Sequence, residues 1–340
     1  HTGFKGSWLS LFLKYLGADL SGYALSPEDG RDNLYDLVGI DQIVRSNIAD
    51  IRDIKLLREA LNAAQPEIIF HLAAQPLVRD SYSDPVYNYE TNVIGTVNLL
   101  EAAKTLKSVK AVVNITTDKC YENNEWYWSY RENDRLGGHD PYSASKACSE
   151  IVTNSYRQSF HHDLGIGLAS ARAGNVIGGG DFSKDRIIPD IISAICKNEE
   201  VTLRNPNAVR PWQHVLDVLN GYLLLGMKLY QVPKEYSESF NFSPLENQEV
   251  NVEAVVQQFI SVMKQGSYRV DKSAAKLHEA QMLKLDSSKA AKKLNWIPKY
   301  KAEKSITNTA LWYKEFLDES DVISLCHREL EDFINNKHNQ

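Results

Sequence analysis

Tyr142 and Lys146, in Tyr142-Ser143-Ala144-Ser145-Lys146, stand four residues apart, so a helix would place both on one face. A lysine ammonium beside a phenol stabilises the phenolate and lowers its pKa towards the working pH. Tyr142 is therefore a candidate general base for a hydroxyl group. Thr116-Thr117-Asp118-Lys119 closes an apolar run upstream, where a threonine can hold the same hydroxyl. A second signature opens the chain: His1-Thr2-Gly3-Phe4-Lys5-Gly6 sets two glycines at GxxG spacing before an amphipathic stretch. Glycines in that place let the backbone approach a pyrophosphate at a helix N-terminus. Two glycines also suit an ordinary helix start, and YxxxK recurs by chance. Context has to decide.

The elements around these residues alternate in kind. Strands are expected at Gly22–Leu25, Glu67–Leu72, Ala111–Thr116, Gly165–Arg172 and Ser239–Phe242, each nearly continuous in apolar character. Helices are expected at Ser7–Leu16, Ile54–Ala64, Val86–Leu106 and Ser143–Phe160. The pattern is βαβα, so the expected fold is α/β: a Rossmann-type doubly wound parallel sheet with right-handed crossovers. Past Gly174 the loops grow rich in Gly, Asn, Asp and Pro. A smaller, mostly helical C-terminal lobe is expected there, ending in a frayed tail at Asn335–Gln340. The division falls at 1–174 and 175–340, with segments near 208–243 returning to the first part.

Composition narrows the function. The 340 residues carry 38 basic and 44 acidic side chains, a formal net charge of −6, with a mean hydropathy of −0.38. Mild acidity argues against a nucleic-acid groove, and no run of about 18 apolar residues suggests a membrane span. The cysteines Cys120, Cys148, Cys196 and Cys326 lie far apart, without metal or disulfide-scaffold spacing. No His, Cys and carboxylate set has ligand spacing, so no metal is expected. The prior is a cytoplasmic enzyme. His71 reads as a core histidine, and His161 with His162 as cations suited to a helix C-terminus. Trp126, Tyr127, Trp128 and Tyr130 could lid a site or merely pack a long loop.

The motifs in order are HTGFKG at 1–6, HLAAQPLVRDSY at 71–82, TNVIGT at 91–96, TTDKCY at 116–121, DPYSASK at 140–146, RAGNVIGGGD at 172–181, RIIPD at 186–190 and RPWQHVLD at 210–217. Together they resemble the extended short-chain dehydrogenase/reductases over nearly the whole chain, and within them the nucleotide-sugar 4,6-dehydratases. The wording of HLAAQPLVRDSY, TTDK and RAGNVIGGGD is most similar to members acting on CDP-glucose. The resemblance implies NAD as cofactor, held by Thr2, Gly3, Phe4, Lys5 and Gly6 at the pyrophosphate, Asp50 and Ile51 at the adenine, and Leu72, Ala73, Ala74 and Gln75 along its path. It implies that Tyr142 takes the proton of the sugar 4-hydroxyl, that Thr117 bonds that hydroxyl, and that Lys146 holds the nicotinamide ribose and depresses the Tyr142 pKa. Oxidation at C4 acidifies C5, and an acid must then protonate the departing C6 hydroxyl. Asp118 fits that acid.

The chain departs from the family in three places. Lys119 stands where the family usually has glutamate, and is carried as a candidate for moving the C5 proton. The second strand ends Leu25-Ser26-Pro27, with no acid until Glu28, so ribose recognition is expected to be weak; Arg31 keeps NADP open as a minority reading. His1 falls one residue after the family's first glycine, so a strand before it is expected to be missing, its place at the sheet centre beside Gly22–Leu25. For a diphosphate, fork-shaped guanidinium groups are needed. Arg210 is the first choice by family position, with Asn175, Arg186, Arg204 and Asn241 as further substrate contacts. The helices Val86–Leu106 and Ser143–Phe160 would form a four-helix homodimer interface. A sugar-nucleotide 4-epimerase and a non-catalytic NAD-binding module remain as rival readings.

Overall fold

The computed structural model describes residues 1–28, 30–244, 250–271 and 282–336. Its centre is parallel sheet: β1 (Ser21–Ala24), β2 (Arg45–Ile48), β3 (Ile68–His71), β4 (Ala111–Ile115) and β5 (Gly167–Ala173). Every residue of β4 and β5 is buried, as strands covered on both faces require. Side chains alternate between the faces. Ala111, Val113 and Ile115 enter a large core that runs from Trp8 to Phe333, while Val112 joins Leu57, Leu61, Leu99 and Leu168 in a second one opposite. The fold is the expected doubly wound α/β type.

Past β5 the strands are short. β6 (Val176–Ile177), β7 (Glu200–Leu203), β8 (Val209–Arg210) and β9 (Gln213–His214) lie among loops. β10 (Ser239–Phe242) returns to pair parallel with β5, Phe240 opposite Ala171, and completes the order β10-β5-β4-β3. β11 (Val250–Asn251) pairs with β8, and β12 (Ser267–Val270) with β7. The longer helices of this part, among the described residues, are Ile187–Lys197, Val215–Gln231, Val252–Met263, Ala302–Leu317 and Val322–Asn335. The expected tail is thus helical to Asn335, and from residue 337 it lies outside the described residues.

β1 and β2 pair only with each other among the described residues, so the parallel sheet comes in two hydrogen-bonded pieces. His1 stands against β1. Its ring occupies the space where a Cβ on Gly22 would fall, 2.3 Å from Nδ1, and its Nε2 meets Ser46 Oγ at 2.6 Å. A Cβ at position 22 would displace the His1 ring.

The helices begin where capping chemistry dictates. Asp53 accepts from the Lys55 and Leu56 amides and opens Ile54–Ala64. Asp140 accepts from Ser143 N, with Pro141 at the first helical position, and opens Pro141–Tyr156. The stretch expected at Val86–Leu106 is a helix Pro85–Tyr89, a π turn Glu90–Ile94 and a helix Gly95–Ala103. A π turn at Arg157–His161 likewise extends the Tyr142 helix. His161 is fully buried, and burial first, then Lys104 and Arg157, hold its pKa down to about 4. It is neutral, which corrects its reading as a cation on the helix dipole; the His162 side chain lies outside the description. No helix among the described residues is long and apolar enough to cross a membrane.

Candidate active site

β4 delivers Thr116 and Thr117 at its C-terminal end, and a tight turn, Asp118–Cys120, follows at once. The Thr117 hydroxyl donates to Asp118 Oδ1 at 2.9 Å, accepts from Lys119 N, and touches the Tyr142 phenol. Asp118 is buried and its Oδ2 has no hydrogen-bond partner. Burial raises its pKa, against the pull of Lys119, Thr117 and Arg210. The result is a carboxyl biased to keep its proton, set beside a phenol. Gly174 makes room for it: a Cβ there would lie 2.2 Å from Pro211 Cγ and 3.2 Å from Asp118 Oδ2.

Tyr142 sits in the first turn of its helix, its amide bonded to Ser81 Oγ at 3.1 Å. Burial pushes its pKa up to about 12; Asp118 and Asp140 add to that, while Thr117 and Arg186 oppose it. This corrects the expectation that Lys146 depresses it. The Lys146 ammonium points to the Ile115 carbonyl, 3.2 Å away, and the cation that favours the phenolate is Arg186. Lys146 is itself buried, and that burial lowers its pKa to about 8, against Glu150 and Cys120. The Lys119 ammonium lies 6.0 Å from the centre of the Tyr142 ring.

The other predicted residues divide. Arg186 reaches the cluster, paired with Asp181 at 2.8 Å and acting on Tyr142 and Lys5. Arg210 bears on Asp118 and donates to Val209 O at 2.9 Å. Arg204 stands further out, 3.8 Å from Asp185, lining a cleft of about 280 Å³ with Asp190 and Thr202. Arg79 reaches the same Asp185 at 3.2 Å, and Lys184 reaches Asp80 at 3.1 Å. Asn175 is half-buried beside β6, its carbonyl taken by Gln213 N. Asn241 is not brought to the site. It is fully buried on β10, accepting from Tyr121 OH at 2.7 Å and donating to Tyr130 O and Asp286 O. The aromatic run splits as well: Trp126 stacks on buried Tyr130, while Tyr127 and Trp128 are exposed.

Gly3 caps the Phe4–Tyr15 helix without a side-chain bond and has open space around it. Gly6 is forced to be small, since a Cβ would lie 2.9 Å from His1 Cα. Thr2 Oγ1 donates to Leu25 O at the end of β1, and Phe4 packs towards Gly178. Lys5 has its pKa lowered to about 7, first by burial and then by Arg186 and Lys146. An uncapped helix start beside three mutually repelling cations suits a diphosphate. Asp50 is bound by Arg52 at 2.7 Å, and Ile51 packs on Gly95. Leu72, Ala73 and Ala74 lead from β3 to Gln75, whose amide bonds Asn92 and whose buried Oε1 has no partner. That orphan atom beside a line of small residues suits the amide or hydroxyls of a dinucleotide. Glu28, the first acid after β1, is tied to Arg31 at 2.9 Å. No metal-holding group of His, Cys, Asp and Glu occurs among the described residues.

Sequence reasoning missed the layer beneath these groups. Glu150, buried one helical turn past Lys146, is paired with Arg172 at 2.8 Å and also bonded to Thr116 and Ser170. The i, i+4 spacing of Lys146 and Glu150 was the signal available.

The sequence profile of the GDP-mannose 4,6 dehydratase family matches residues 1–309. The chain is 45% identical over 339 residues to the CDP-glucose 4,6-dehydratase of Salmonella typhimurium, covering 98% of this chain and 94% of that protein. It is 26% identical over 292 residues to the UDP-glucose 4-epimerase of Mycoplasma pneumoniae, covering 80% and 83%. In structure it is similar to the dTDP-glucose 4,6-dehydratase of Bacillus anthracis solved in complex with NAD, at a TM-score of 0.76 and 23% identity, covering 92% of this chain and 94% of that one.

Proposed function

The chain belongs to the GDP-mannose 4,6-dehydratase family, and from that premise we propose that it dehydrates CDP-glucose to CDP-4-keto-6-deoxyglucose with NAD as a recycled cofactor. The observation that carries the reading is the 45% identity, nearly end to end, with a CDP-glucose 4,6-dehydratase. The buried Tyr142–Thr117–Asp118 contact supports it, because an epimerase needs no acid beside the phenol.

NAD, when bound, supplies a reversible store for the hydride that leaves C4 and returns to C6. Thr2, Gly3, Phe4, Lys5 and Gly6 would hold its pyrophosphate, Asp50 and Ile51 its adenine end, and Leu72, Ala73, Ala74 and Gln75 its further course. The chain's own groups move the protons. Tyr142 takes the proton of the 4-hydroxyl, Arg186 favours its phenolate, and Lys146 would hold the nicotinamide ribose. Thr117 orients that hydroxyl. Asp118, its pKa raised by burial, gives its proton to the departing C6 oxygen as water leaves. Lys119 takes the C5 proton, and a proton returns to C5 as hydride reaches C6. Arg210, Arg186, Arg204 and Asn175 would meet the diphosphate and sugar. Residues 1–174 then act mainly on the cofactor and 175–340 on the substrate, with β10 returned to the first sheet.

A homodimer is supported by the exposed apolar side chains Val86, Tyr89, Ile94, Ile151 and Phe160 on the two long helices. The four free cysteines support a reducing, cytoplasmic setting. The test is incubation with NAD and CDP-, dTDP-, UDP- and GDP-glucose. A 4-keto-6-deoxy product, lighter by one water, is expected from CDP-glucose above the others. A 4-epimer would favour the epimerase reading, and no turnover on any sugar a binding module. In deuterium oxide, Lys119→Ala should lose label at C5; native labelling would remove lysine from that role.

A further inference from the structure

We propose that Glu150 is a positioning residue for this chemistry: its buried carboxylate, clamped by Arg172, Thr116 and Ser170, fixes the helix turn after Lys146 against the end of β4, and with it the place of the Lys146 ammonium. The inference rests on the function proposed above only for why that charge matters.

The carboxylate has four donors. Thr116 Oγ1 bonds one oxygen; Ser170 Oγ at 2.6 Å, Arg172 Nη2 at 2.8 Å and Ser239 Oγ at 3.3 Å bond the other. These donors come from the end of β4, from β5 and from β10, so one side chain ties three strands to the Tyr142 helix. Thr116 is the residue before Thr117, and the carbonyl that Lys146 meets belongs to Ile115. The partners of Lys146 and Glu150 at the end of β4, Ile115 and Thr116, therefore lie just before the turn that carries Asp118. Arg172 is locked from behind by Tyr121 OH at 2.7 Å and Glu132 O at 3.0 Å.

The electrostatics point the same way. Burial would raise the Glu150 pKa, yet Arg172, Ser170 and Thr116 hold it down to about 2, so the carboxylate is ionised at every working pH. Lys146 is lowered to about 8 by burial, and Glu150 is the foremost group opposing that. The groups facing Lys146 from neighbouring elements are Lys5 on the first helix, His71 on β3 and Cys120 in the turn after β4. Lys5 repels its charge, His71 is neutral with its pKa near 3, and the buried thiol of Cys120 is protonated because its pKa is raised. Glu150 is then the fixed anion that sustains it.

The experiment follows the Lys146 Cε resonance against pH in 13Cε-lysine-labelled cofactor-free protein, assigned with Lys146→Arg, alongside the pH profile of kcat. Glu150→Gln should move the Lys146 midpoint to lower pH by about 1 or more, and carry the alkaline limb of kcat down with it. Glu150→Asp, which keeps the charge, should restore most of both. Should Glu150→Gln not fold because Arg172 is left buried and unpaired, the double variant Glu150→Gln/Arg172→Met removes both charges and should show the same displacement. An unmoved midpoint in a folded variant overturns the proposal. A moved midpoint in a protein inactive on every nucleotide sugar keeps the coupling and overturns the function instead.

Discussion

Asp118 carries the heaviest chemical demand of any single residue in the site. A carboxyl that must donate has to resist ionisation, and the burial of Asp118, with Oδ2 unpartnered, raises its pKa in that direction. Asp118→Asn keeps the shape and removes the proton. It should leave C4 oxidation in place and slow elimination by about 10²–10⁴-fold. Reduced nicotinamide absorbance would then build up on the enzyme while product formation falls; product at the native rate would strip Asp118 of the role. Tyr142 is the converse case. Its pKa near 12 in the cofactor-free protein means that the phenolate forms only when further positive charge arrives.

At the scale of elements, the turn after β4 and the loop after β5 must fit together closely. Gly174→Ala inserts a methyl between Pro211 and Asp118. It should cost about 1–3 kcal/mol in a urea melt through overpacking, and reduce turnover more than a substitution of similar cost elsewhere. His161 gives the bend after the Tyr142 helix a pH signature. Its folded pKa near 4 lies below the unfolded value of about 6.5. The stability it contributes is complete above about pH 6.5 and is lost as pH falls through 4. The urea midpoint should drop between pH 7 and 5, and His161→Phe should flatten that drop. β4, β5 and β10 were legible in the sequence because small and apolar residues dominate them, Ala111-Val112-Val113, Gly167-Leu168-Ala169 and the Phe240/Phe242 pair above all. β2 was not, since Arg45-Ser46-Asn47-Ile48 is exposed throughout and leaves no hydrophobic pattern to read. Tyr142 and Lys146 could be found by spacing, and Asp118 through the family resemblance. Arg172 could not, because it meets Glu150 only through strand order, and nothing local in Arg172-Ala173-Gly174 points to Glu150. The same blindness placed Asn241 at the substrate, when pairing of β10 with β5 buries it instead.

For the whole molecule, one large core joins the first helix to the last, so the two parts of the chain are not independent bodies. Among the exposed apolar side chains, Ile151 stands 57% exposed near the middle of the Tyr142 helix, with Val86, Tyr89 and Ile94 on the neighbouring helical stretch. Ile151→Arg should halve the mass measured by light scattering while the Tm changes little; an unchanged mass would place the subunit contact elsewhere. The ion pairs that join the Val78–Ser83 helix to residues 184–185 act at the same scale. Each is half-exposed and contributes little stability, about 0–1 kcal/mol. Their order matters more than their strength. Arg79 and Asp80 run against Asp185 and Lys184 like two teeth in two notches. A slip of one residue in either direction sets Arg79 on Lys184 or Asp80 on Asp185, like charge on like. The alternation of charge therefore favours a single alignment of the Val78–Ser83 helix against residues 184–185.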